Sequence, residues 1–298
     1  MPVLYFAAAL LLAADSTSAR RIPVAPAESI AVTVTGEGIP VVLIPGLFGS
    51  AFGFRRVTSL LRDSGYQAIV VEPLGIGSSS RPGRADYSLS AQARRVAAVL
   101  DSMKIHDVIL VAHSIGAGVA FRLVTQRPDL VVGLVSLDGA AREEAATPGV
   151  RKVLKFATLM KIFGGGGLIR KKVKEGMIQD AFDPSWVTDS VVAGYTAGAS
   201  RDLGATIRVF QGMAKSTEAE PLTPKLADIR CPVVLLTGAE NRPNRITSAE
   251  QLLLLDRLPS IRIDSVQRSG QYLHEERPDA VFAAIRSIQV RIAVKDPR

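Results

Sequence analysis

The chain has 298 residues, 47% of them hydrophobic, enough to bury a substantial core as one large α/β domain or two smaller ones. A single cysteine, Cys231, excludes an intrachain disulfide and a Cys-based metal site, and three histidines (His106, His113 and His274) argue against a His-rich metal centre, so no metal or cofactor is expected. The formal charge of +8 is concentrated: between Arg142 and Lys174 nine basic residues stand against Glu143 and Glu144, which suits an anionic ligand, a membrane surface or a solvated helix face, and no aromatic-and-basic nucleic-acid motif accompanies them.

The first element is an apolar run from Val3 to Ala14, too short to span a bilayer as a helix. Residues 1–28 read as an N-terminal apolar segment of secretory-signal type, with small residues near Ala14 and Ala19 for cleavage but no basic n-region. Export to a periplasmic or extracellular space is the expectation; a cytoplasmic protein with a packed N-terminal helix is the alternative. From Ser29 the pattern becomes strand-like alternation, and Gly36 and Gly38 read as a hairpin turn.

Short β-branched runs then alternate with helical segments. VVLIPG (41–46) precedes an amphipathic stretch to Leu61, and AIVVEP (68–73) precedes a Gly/Ser loop and the helical LSAQARRVAAVLDSM. VILVAHS (108–114) runs directly into GAGVAFRLVTQRP, and VVGLVSLDG (131–139) follows. After a break, PVVLLTG (232–238), IRIDSV (261–266) and a closing helix complete the rhythm. Runs this short and apolar suit strands buried on both faces, and their alternation with helices predicts a doubly wound, mostly parallel α/β sheet. Residues 140–225 break the rhythm, with helical composition, a basic first half and four glycines at 164–167. They read as a helical cap inserted into a core made of 29–139 and 226–298, with the glycines as a hinge or a plain interhelical loop.

Ala112-His113-Ser114-Ile115-Gly116 sits where a buried strand meets a helix. A sharp turn there exposes the serine hydroxyl above the sheet, and small flanking residues permit the close approach. This stretch resembles the nucleophile elbow of the α/β-hydrolase superfamily, and the resemblance extends over most of the chain from about residue 38. It implies an α/β-hydrolase fold and a serine hydrolase of the capped branch, with Ser114 attacking an ester or related acyl substrate, lipid-like or anionic given the basic cap. Ile44-Pro45-Gly46-Leu47-Phe48-Gly49-Ser50 resembles the superfamily's oxyanion loop, which implies that the backbone N–H groups of Leu47 and Ile115 face the developing negative oxygen. Residues 72–82 resemble a neighbouring superfamily loop and are read as turn chemistry.

Two positions depart from the pattern. Gly238-Ala239-Glu240-Asn241 puts Asn241 where the family carries its acid, leaving Glu240 or Asp138 as candidate carboxylates. Aligned on Gly270 and Glu276, Gln271 takes the place of the family histidine, and His274 follows three residues later as the candidate base. A glutamine amide has no basic nitrogen near neutral pH and accepts no serine proton. Two readings follow: a serine hydrolase with impaired chemistry, or a catalytically degenerate hydrolase-fold protein that binds a small ligand or a partner in the old pocket.

Overall fold

The computed structural model of the chain describes residues 17–145, 151, 154 and 166–295. Eight strands form one sheet: β1 (Thr17–Ala25), β2 (Glu28–Thr35), β3 (Ile39–Ile44), β4 (Tyr66–Glu72), β5 (Val108–His113), β6 (Val131–Leu137), β7 (Val233–Gly238) and β8 (Ile261–Val266). Their order is β1-β2-β4-β3-β5-β6-β7-β8. The β1–β2 and β2–β4 pairs are antiparallel, and every pair from β4–β3 to β7–β8 is parallel. Every residue of β5 and β7 is buried, the pattern that two-sided coverage by helices imposes on a parallel strand.

Two differences from the sequence expectation lie at the N-terminal edge. Gly36 and Gly38 do not turn a hairpin, because β2 and β3 lie on opposite sides of β4 and pair with it rather than with each other. A Cβ at Gly38 (φ 109°) would stand 2.2 Å from the Gly65 carbonyl, so the link uses glycine to pass close under another turn. The hairpin joins β1 to β2 instead, and the sheet begins at Thr17, ahead of the expected Ser29. Ala19 pairs with Thr33 inside β1, so cleavage beside it would remove part of an edge strand. The Val3–Ala14 run lies outside the described residues.

Helices α1 (Arg55–Asp63) and α9 (Pro278–Lys295) cover one face of the sheet. Helices α2 (Leu89–Met103) and α3 (Ile115–Gln126) cover the other, where Phe121, Leu100 and Leu110 are fully buried. Between β6 and β7 the chain supplies α4 (Gly166–Asp180), α5 (Asp189–Arg201) and α6 (Leu203–Lys215), with no strand among the described residues of that stretch. Most of the basic 150–163 segment, for which the sequence predicts helical spacing, and Gly164-Gly165 of the glycine run lie outside the described residues; Gly166 and Gly167 open α4. After β7 come α7 (Ser248–Arg257) and, after β8, the short α8 (Leu273–Glu276) that leads into α9.

Candidate active site

β5 is wholly buried and ends at His113, and α3 starts at Ile115, so the turn between them falls on Ser114 alone. Ser114 has φ 53° and ψ −121°, a conformation that costs a non-glycine residue on the order of 1–3 kcal/mol. Its surroundings enforce it. A Cβ at Gly116 would lie 2.7 Å from the Ile44 carbonyl oxygen, and one at Gly139 would lie 2.8 Å from the Ser114 carbonyl oxygen. Ser114 is half-buried at this strand-to-helix turn.

The loop after β3 lies against this turn: a Cβ at Gly46 would be 3.2 Å from the Ser114 Cβ and 3.1 Å from His113 Nδ1. The Ile115 N–H opens α3 and has no intrahelical acceptor, which leaves it available to an anion. Glu72 fixes the loop in a way the sequence reading of 72–82 as turn chemistry does not foresee. Its buried carboxylate accepts the Ala51 N–H at 2.8 Å and the Ser78 N–H at 2.5 Å, tying the loops after β3 and β4 together. Burial raises the Glu72 pKa; those two N–H groups and Arg81 oppose the rise. The sequence signal for it is a carboxylate closing an otherwise apolar strand.

Gln271 is buried, and its backbone and its side-chain Nε2 are engaged. Its backbone N–H donates to the Asp180 carbonyl (2.9 Å), its side-chain Nε2 to the Asn244 carbonyl (2.7 Å), and its own carbonyl takes a hydrogen bond from His113 Nε2 (3.1 Å). His274 is equally buried but turned elsewhere. Its Nε2 meets the Tyr195 hydroxyl at 3.0 Å, and its ring packs 4.5 Å from that of His113 and 5.1 Å from Phe54. Tyr195 donates its one proton to Glu275 Oε1 (3.0 Å), so His274 Nε2 carries hydrogen and Nδ1 is left with a lone pair and no partner. Among the described residues no hydrogen bond joins His274 or His113 to Ser114. Burial holds His113 down to about 4; burial, then the charges of His113 and Arg55, holds His274 well below the ordinary imidazole range. Both rings are neutral near pH 7.

The two candidate acids and Asn241, which stands at the family's acid position, separate by burial. Asn241 is exposed, and Glu240 is half-buried with its N–H on the Ser269 carbonyl at 3.3 Å. Asp138, with φ 47°, is 2% exposed; its Oδ1 accepts the Ile246 N–H at 2.8 Å and its Oδ2 has no hydrogen-bond partner. Burial pushes its carboxyl up to about 6, against the pull of the Ile246 N–H and Arg245, while Asp180 adds to the rise. Asn244 donates to Asp180 Oδ2 at 2.6 Å, so it links that carboxylate to Gln271. Asp180, Tyr195 and Asn244 reach the site from far along the chain, and no local pattern marks them.

Above the loop after β3, Phe48, Ile76, Tyr195, Thr206, Phe210 and Arg81 line a cavity of about 10 Å³, room for one water-sized group. Among the described residues no group of three or more His, Cys, Asp or Glu side chains is placed to hold a metal ion. The arrangement offers a half-buried serine at a strained turn, the free Ile115 N–H beside it and the buried Asp138 carboxylate, with no imidazole hydrogen-bonded to the serine.

Comparison with known proteins agrees with the fold. A family model described as "Alpha/beta hydrolase family" matches residues 41–284. The "Uncharacterized hydrolase YugF" of Bacillus subtilis (strain 168) is 24% identical over 246 residues, 80% of this chain and 86% of that protein. Among solved structures, Cfl2 from Burkholderia cenocepacia superposes with a TM-score of 0.75 at 22% identity, covering 90% of this chain and 94% of its own. The 2-hydroxy-6-oxo-6-phenylhexa-2,4-dienoate hydrolase of Rhodococcus sp. strain RHA1 does so with 0.74 at 17% identity, covering 92% and 98%.

Proposed function

The chain belongs to the α/β-hydrolase family, and from that premise we propose that it is a serine hydrolase of impaired turnover, acting on an ester or related acyl substrate through Ser114. The Ser114 oxygen attacks the carbonyl carbon while its proton passes to solvent water, the ester C–O bond breaks with release of the protonated alcohol, and a water then hydrolyses the acyl-serine. The developing oxyanion is held by the N–H groups of Leu47 and Ile115, each such donor being worth roughly 3–4 kcal/mol. Asp138 serves as the acid, in preference to Glu240, because its carboxylate is buried with one oxygen unengaged. The observation that carries the impairment is Gln271. Its amide is bonded to the Asn244 carbonyl, and neither buried histidine bonds to Ser114. Loss of the base alone costs a serine hydrolase on the order of 10⁶ in kcat.

A second reading, a degenerate hydrolase-fold protein that only binds a ligand, is favoured by Gln271, whose Nε2 is held on the Asn244 carbonyl and which offers no base. In either case the partner is a small molecule. Contact with an anionic membrane surface through α4, where Arg170, Lys171 and Ile178 are exposed, and export directed by the Val3–Ala14 run are parts of the same proposal.

The test is labelling by a fluorophosphonate, compared with Ser114→Ala, together with hydrolysis of short acyl esters. Slow labelling that Ser114→Ala abolishes is expected, with Gln271→His raising ester turnover at least about a hundredfold. Asp138→Asn in that background should remove most of the gain. Fast wild-type turnover indifferent to Ser114→Ala would refute the assignment. Absence of both labelling and rescue would favour the ligand-binding reading.

A further inference from the structure

Arg81 is the charged residue among those lining the cavity over the loop after β3. Its Nη2 donates to the Gly77 carbonyl at 2.6 Å and its Nη1 to the Ser79 carbonyl at 3.3 Å. Its Nε is buried and has no acceptor among the described residues. Burial lowers the Arg81 pKa, and the charges of Glu72 and Asp202 oppose the fall. A guanidinium whose hydrogen bonds go to carbonyl oxygens and whose Nε lacks an acceptor is an incomplete anion receptor, since its fork geometry matches a carboxylate.

Position adds to the chemistry. The carboxylate of Glu72 bonds both to Ala51, after the oxyanion loop, and to Ser78, three residues before Arg81. Arg81 therefore belongs to a loop tied to the one after β3, which itself lies against the Ser114 turn. Phe48 and Phe210, 5.3 Å apart edge to face, line the same cavity as Arg81. We infer that Arg81 selects ligands that carry a carboxylate, or a similar compact anion, at the far end of a short acyl chain. The inference rests on the reading that the acyl pocket lies over Ser114. Because the cavity admits only a water-sized group as it stands, such a ligand enters by displacing α5 and α6 from the core.

Calorimetric titration of the full chain with glutarate and with its neutral diamide tests this without any turnover. Glutarate is expected to bind at least about tenfold more tightly than the diamide. Arg81→Gln should erase the preference, Arg81→Lys should keep part of it, and thermal melting checks that both variants fold. Glutarate should also slow fluorophosphonate labelling of Ser114 in the wild type and not in Arg81→Gln. Equal affinity for the two ligands, no binding of glutarate, or an undiminished preference in Arg81→Gln would overturn the inference. Glutarate discrimination in a protein that no fluorophosphonate labels would sink the Ser114 reading and leave that of Arg81 standing.

Discussion

Asp138 is held in two costly states at once, a left-handed backbone and a carboxyl buried with an unengaged oxygen. Its pKa near 6 in the folded chain, against 3.8 ordinarily, makes it a stability switch with a definite sign. Between those values the folded protein keeps a proton that the unfolded chain has lost. Asp138 therefore costs stability above pH 6, and the cost is relieved as pH falls toward 4, by up to about 3 kcal/mol. His113 and His274 act oppositely: their depressed pKa values mean that acid protonates the unfolded chain first and withdraws stability below about pH 6.5. Comparing wild type with Asp138→Asn isolates the carboxyl. The variant should be the more stable protein at pH 7, and its advantage should shrink steadily in thermal melts down to pH 4.5. Arg245 and Asp180, which face this carboxyl, set how much of the range is seen. The sequence offers Asp138 only as one of two candidates, since the burial that separates it from Glu240 comes from packing.

Helix α5 shows how a cap element is seated by what it lacks. A Cβ at Gly194 would stand 2.5 Å from the Phe52 ring, and one at Gly198 would stand 2.1 Å from the Gly77 carbonyl oxygen. Spaced four apart, the two glycines lie on one face of the helix and let its backbone rest directly on the core. From there Tyr195 reaches His274 and Glu275, with Arg55 closing the group against Glu275 at 2.5 Å. Gly198→Val should push α5 outward and cost roughly 1–3 kcal/mol by overpacking. It should also speed labelling of Ser114 by a bulky fluorophosphonate, because the cavity beneath is walled by the same helix; melting curves and labelling rates measure the two effects. The strands, by contrast, were legible element by element. VILVAHS and PVVLLTG fall on β5 and β7 because a run buried on both faces announces itself by composition. The reading of Gly36 and Gly38 as a hairpin failed because turn residues do not say which strand slips between their neighbours.

At the scale of the whole molecule, one carboxylate fastens the inserted helices to the loop that carries Gln271. Glu276 Oε1 accepts the N–H groups of Phe182 (2.7 Å) and Asp183 (2.9 Å) and the Trp186 indole (3.3 Å), while Oε2 accepts that of Gly270 (2.7 Å). The Asp180 carbonyl adds the bond from the Gln271 N–H. Glu276→Ala leaves several donors without acceptors, at about 1–3 kcal/mol for each that stays dry. Its expected signature is faster hydrogen exchange at residues 180–186 and 270–271, with the strands of the sheet unaffected.

The sequence by itself determined the α/β architecture, the elbow at Ser114 and the absence of a basic side chain at position 271. All three depend on local periodicity or on the chemistry of a residue at a recognisable place in the chain. The tertiary structure alone decided which groups surround that place. It turned His274 toward Tyr195, buried Asp138 while leaving Asn241 exposed, and brought Asp180 and Asn244 onto Gln271. Those contacts join residues tens to more than a hundred positions apart, and burial and hydrogen-bond competition choose among them only once the sheet and the inserted helices have closed together.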